Sequence, residues 1–117
     1  MTELIVILSS GKGTWQEAAK IISSHEWEKV YLVTNDFGAN TFNKKENFEF
    51  VVINPEDSVE TISKNIFNSM KGKLGMEVAL NMNSGSGKEH MALLSAVLKL
   101  GVGIRLIGAN EKGILEL

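Results

Sequence analysis

Hydrophobic and polar positions alternate along this chain at two different periods. Leu4-Ile5-Val6-Ile7-Leu8 is uniformly apolar, the pattern of a parallel strand buried on both faces. Residues 9–13 are small and polar and read as a loop. Thr14-Trp15-Gln16-Glu17 then has the form of a capping box, so a helix is expected to start at Thr14. Its apolar stripe is Trp15, Ala18, Ala19 and Ile22, at helical spacing. Val30-Tyr31-Leu32-Val33 predicts a second strand, residues 35–47 a polar loop, and residues 48–53 a third strand. Asn54-Pro55 is expected to open the next helix, since proline is tolerated in a first turn. Val59, Ile62, Ile66 and Met70 form its buried stripe, and Gly72 and Gly75 lie beyond its end. A fourth strand over residues 76–80 leads into the turn Asn81-Met82-Asn83-Ser84-Gly85-Ser86-Gly87-Lys88. A third helix, ending near Leu100, and a fifth strand over residues 102–107 follow. Gly108-Ala109-Asn110-Glu111 is expected to turn the chain into a last, antiparallel strand over residues 113–117.

Strands that alternate with helices specify a parallel sheet with right-handed crossovers. The expected fold is an α/β Rossmann-like three-layer sandwich, with a mostly parallel six-stranded sheet in the order 3-2-1-4-5-6 and the last strand antiparallel. Residues 1–117 are expected to form one domain. In that order strands one and four are neighbours at the topological switch point, where ligands bind beyond the C-terminal strand ends. The two Gly/Ser/Lys loops of the chain follow those two strands.

Composition narrows the chemistry. A net charge of −2 argues against a protein that coats duplex nucleic acid. With no cysteine, disulfides, zinc-thiolate sites and cysteine nucleophiles are excluded. His25 and His90 are far apart, with no acidic cluster beside them, so no metal site is expected, and no cofactor. Residues 4–8 are too short for a signal peptide or a membrane span; a cytoplasmic location is expected.

The two loops echo one another. Ser9-Ser10-Gly11-Lys12-Gly13 precedes one capping box, and Asn83-Ser84-Gly85-Ser86-Gly87-Lys88 overlaps a second, Ser86-Gly87-Lys88-Glu89. A strand-to-helix turn of this composition presents backbone N–H groups and a helix N-terminus to an anion. Thr14 and Ser86 read equally as plain N-caps. Lys88 is different, because a cation in the first turn faces the positive end of the helix dipole; a residue that breaks a local rule is a candidate for function. Lys12 reads either as an anion ligand or as a solvated loop residue. Walker A is excluded: position 82 is Met and the residue after Lys88 is Glu89, not a magnesium-binding hydroxyl. A dinucleotide fingerprint lacks its third glycine, since position 16 is Gln16, although Asp36 closes the second strand.

A strand ending in Asn81, the turn Ser84-Gly85-Ser86-Gly87-Lys88, Met91 soon after it, a long Ala/Leu helix and the strand over residues 101–107 resemble the CARF domain, the sensor of CRISPR-linked cyclic oligoadenylate signalling. Ser9 and Ser10 after the first strand, and the strand order along nearly the whole chain, support the resemblance. The family's usual turn is closer to Thr-Gly-Gly-Thr-Lys; here a glycine directly precedes the lysine. The resemblance implies a stand-alone homodimer that holds a cyclic oligoadenylate across its two-fold axis and acts through a separate effector protein. It implies ligand contacts from Ser9, Ser10, Gly11, Lys12, Asn81, Asn83, Ser84, Gly85, Ser86, Gly87 and Lys88.

Two other functions stay open. In a metal-independent ring nuclease, Lys88 would stabilise charge and Ser10 would position the attacking 2′-hydroxyl. An interaction domain would keep the sheet without the ligand. His90 reads as a general acid or base, or as a structural residue of the first helical turn. Trp15 reads as core first and as a base-stacking ring second. His25 reads as connector surface. The third helix is apolar over more than one stripe (Ala92, Leu93, Leu94, Ala96, Val97, Leu98, Leu100), so its second face either meets a partner or is buried within one copy.

Overall fold

The computed structural model describes residues 2–9, 12–42 and 44–117, with residues 12–14 described in backbone only. Six strands form one sheet in the order β3-β2-β1-β4-β5-β6. The strands are β1 (Glu3–Leu8), β2 (Val30–Thr34), β3 (Phe48–Val52), β4 (Glu77–Asn81), β5 (Gly103–Asn110) and β6 (Gly113–Glu116). All neighbours are parallel except β5 and β6. The helices are α1 (Lys12–Ser24), α2 (Asp36–Thr41), α3 (Val59–Met70) and α4 (Gly87–Leu100). The chain is thus a Rossmann-like three-layer α/β sandwich with the strand order that the sequence predicts.

Every residue of β1 is buried, because the strand is central and covered on both faces. Its side chains divide by period two. Leu4, Val6 and Leu8 pack under Ala18, Ile21 and Ile22 of α1. Ile5 and Ile7 join Ile62, Ile66 and Met70 of α3 and Ala92, Leu93, Ala96 and Val97 of α4 on the other face. Ser63 and Ser95 share a hydrogen bond of 3.1 Å between α3 and α4.

Several boundaries differ from expectation. Helix α1 begins at Lys12, so Thr14 lies inside the helix and is not its cap. In the α1 stripe Ile21 is buried while Ala19 is exposed, a one-position rotation of the buried face. The expected polar loop 35–47 contains α2, capped by the Asn35 side chain, which accepts from Gly38 N–H at 2.8 Å. Asn54-Pro55 does not open α3: Asn54 instead holds a turn, accepting from Glu56 N–H on its side chain and from Asp57 N–H on its carbonyl, both at 3.0 Å. Helix α3 starts four residues later, with Ser58 as its N-cap, and Val59 is 40% exposed. Strand β4 begins at Glu77, with Met76 exposed ahead of it. Strand β5 runs on through Gly108 and Ala109, which pair with Leu115 and Ile114; the expected turn at 108–111 therefore moves to Glu111 and Lys112. Among the described residues, no helix is long and apolar enough to cross a membrane.

Candidate ligand site at the switch point

Parallel pairing of β1 with both β2 and β4 brings the C-terminal ends of these strands to one edge of the sheet. The loop after β1 and the 82–86 turn after β4 therefore meet there, as the strand order requires. Their meeting is held by direct bonds. Ser9 N–H donates to the Ser84 hydroxyl at 2.9 Å, and the Ser9 hydroxyl donates to Glu89 Oε2 at 3.0 Å. The Ser9 carbonyl accepts from the Trp15 indole N–H at 2.7 Å. Ser84 and Glu89 are buried, so the seam between the two loops is a closed polar network rather than a solvated gap.

Glu89 does two things at once. Its backbone N–H donates to the Ser86 hydroxyl at 3.2 Å, and its Oε1 accepts from Ser86 N–H at 2.7 Å. This is the capping box that the Ser-x-x-Glu spacing predicts. Its second carboxylate oxygen goes to Ser9, on the other loop. A buried carboxylate is tolerated here because both oxygens accept hydrogen bonds. Within α4 the box satisfies the third N–H of the helix and leaves those of Gly87 and Lys88 without an intrahelical partner.

Gly85 adopts φ +101°, and a Cβ there would stand 3.0 Å from both Glu89 Oε1 and Ile7 Cγ2. Glycine is required on both counts. His90 is half-buried, and its Nε2–H donates to the Ser84 carbonyl at 2.8 Å, which fixes the ring against the turn. Asn81 is buried, with its Nδ2 donating to the Ile107 carbonyl at 2.9 Å and its Oδ1 accepting from Asn83 N–H at 3.4 Å. Its amide thus braces β4 to β5 and starts the turn. The Asn83 amide donates to the Glu17 carboxylate on α1. Trp15 is half-buried against the α1-side core, and His25 is exposed.

Lys88 is exposed and donates to the Asp57 carbonyl at 2.8 Å. Its unfavourable place in the first helical turn is thus offset by a charge-assisted bond to the turn ahead of α3. Gly87 has open space around it. Ser10 and Gly11 lie outside the described residues, as does the Lys12 side chain. Of the residues expected at the site, the structure brings Ser9, Ser84, Gly85, Ser86, Gly87 and Lys88 to one edge, with Asn81 and Asn83 at its base.

The Ser9–Glu89 bond spans 80 residues of sequence, and nothing in the local spacing marks it. The Asp57 carbonyl, as a backbone acceptor, carries no residue signature at all. Phe37 is the one aromatic between Tyr31 and Phe42; it is 66% exposed at the same edge of the sheet. A large apolar residue inside a polar stretch was the available signal for it.

No protein-family model matches the chain, and no curated protein matches its sequence. Function therefore rests on the geometry of this edge and on the motif it carries.

Proposed function

We propose that the chain is a CARF-like sensor that binds a cyclic oligoadenylate at the switch point and works as a homodimer. The observation that carries this reading is the joining of the two Gly/Ser loops, Ser9 to Ser84 and Glu89, at the point where the strand order reverses. Two first-turn N–H groups and the Lys88 ammonium stand at that edge, the donor set that a phosphodiester takes. The turn is held in shape before any ligand arrives, so little ordering cost is left for binding.

A two-fold ligand suits a two-fold dimer, and α4 offers a face for one. Met91 and Leu98 are 65% and 63% exposed and lie seven residues apart, on one side of the helix. Leu94, between them, is half-buried. A separate effector protein would read the liganded dimer.

The test is thermal melting of the purified chain with cyclic tetra-adenylate, followed by chromatography of the nucleotide. A sensor shows an upward melting shift of several degrees and returns intact ligand, because a ligand at about 100 times its Kd stabilises by about 2.7 kcal/mol. Linear products identify a ring nuclease instead. No shift with rings of any size overturns both and leaves an interaction domain.

A further inference from the structure

Phe37 is 66% exposed, yet it has an aromatic neighbour at the switch-point edge. It stands on α2 beside Gly38, which is buried directly on Thr34. Its ring centroid lies 6.1 Å from that of Trp15, whose indole bonds the Ser9 carbonyl. The ring therefore stands against Trp15, which is tied to Ser9 at the first switch-point loop. It also lines a groove of about 550 Å³ at the C-terminal ends of β2 and β3. The groove reaches the second loop as well, because Asp57 on its wall accepts the Lys88 ammonium through its carbonyl.

The lining sets apolar surface beside side-chain amides. Phe37, Val52 and Pro55 are apolar, while Asn35, Asn54 and Asn65 supply amides. The Asn35 and Asn54 side-chain oxygens are already used by Gly38 N–H and Glu56 N–H, which leaves their NH₂ groups as donors. Among the described residues nothing is hydrogen-bonded to the Asn65 side chain, so it offers a donor and an acceptor together. A side-chain amide in that state pairs bidentately with the N6/N7 edge of adenine, and an exposed aromatic ring supplies the stacking surface. Asp36 and Asp57 also line the groove, and their carboxylates repel a phosphate. A nucleotide in this groove would therefore have to lie base inward, with its phosphate toward Lys88 and the 84–88 turn.

We infer that this groove is an adenine subsite, in which the base stacks on Phe37 and pairs with Asn65. The inference rests on the reading of the switch point as a nucleotide site, and one experiment separates the two. Isothermal titration with cyclic tetra-adenylate and, separately, with AMP is run on the wild type, Phe37→Ala, Phe37→Trp and Asn65→Asp, with each unliganded melting temperature as a folding control. Loss of a stacking ring weakens binding by about tenfold or more; Phe37→Ala and Asn65→Asp are expected to do so, and Phe37→Trp to bind as the wild type does. If the ring binds both weakening variants as tightly as the wild type, the subsite is overturned and the sensor reading stands. If the wild type does not bind the ring, the sensor reading fails and AMP decides: Phe37-dependent AMP binding upholds the subsite, and no AMP binding overturns it.

Discussion

Gly38 has no room for a methyl group: an added Cβ would stand 1.8 Å from the Thr34 hydroxyl oxygen. That hydroxyl is itself buried and donates to the Leu8 carbonyl at 2.6 Å, so it cannot retreat without breaking a bond. Gly38→Ala is expected to cost about 1–3 kcal/mol, as overpacking does. Gly87→Ala, with nothing within 4 Å of the new methyl, is expected to be neutral or mildly stabilising at a helical position. Urea denaturation of the two variants checks this; equal midpoints would contradict the close fit at Thr34. The capping role of Ser86 and Glu89 was legible because a box is a three-residue spacing. The tie from Glu89 to Ser9 was not, because it depends on which strands become neighbours. Lys88 was legible as a misfit, and the structure supplies the reason the misfit is tolerated.

Strands were the most legible elements, since β1, β2 and β4 are covered on both faces and read as near-continuous apolar runs. Helix α2 was hidden for the opposite reason: it has six residues and one buried position, Gly38, so no apolar stripe announces it. Proline misled the reading of α3, because the Asn54 side chain captures the Glu56 N–H and makes a turn of the residues that proline would have started as a helix. On β3, Glu49 ties neighbouring elements by ion pairs to Lys29 at 2.9 Å and Lys73 at 2.8 Å. Burial pushes its carboxyl up, but hydrogen bonds from Lys73 and Lys29 outweigh this and hold it below the usual carboxylate range. A carboxyl whose pKa is lower folded than unfolded contributes stability above its unfolded pKa and loses it as pH falls through the folded one. Glu49→Gln should therefore lower stability at neutral pH by about 0.2–1 kcal/mol per pair, read as a lower urea midpoint. The gap from the wild type should close below about pH 4; a gap that is unchanged with pH would contradict the ion-pair assignment.

At the scale of the whole molecule, the alternation of strands and helices was enough to order the sheet, since right-handed crossovers leave few arrangements. Sheet order in turn placed the two Gly/Ser loops together. What alternation does not specify is which surface meets a second copy. On the proposed reading, the exposed stripe of α4 is that surface, and Leu98→Glu would put a charge into this apolar face. Light scattering should give a dimer for the wild type and a monomer for Leu98→Glu, and a monomeric wild type would contradict the shared site. Binding itself is the most direct test. Isothermal titration of the wild-type chain with cyclic tetra-adenylate is predicted to give saturable binding at one ring per two chains, weakened about tenfold or more in Lys88→Ala by loss of a charge-assisted contact. Absence of binding by rings of every size, or full binding by Lys88→Ala, would contradict the site assigned to the switch-point turn.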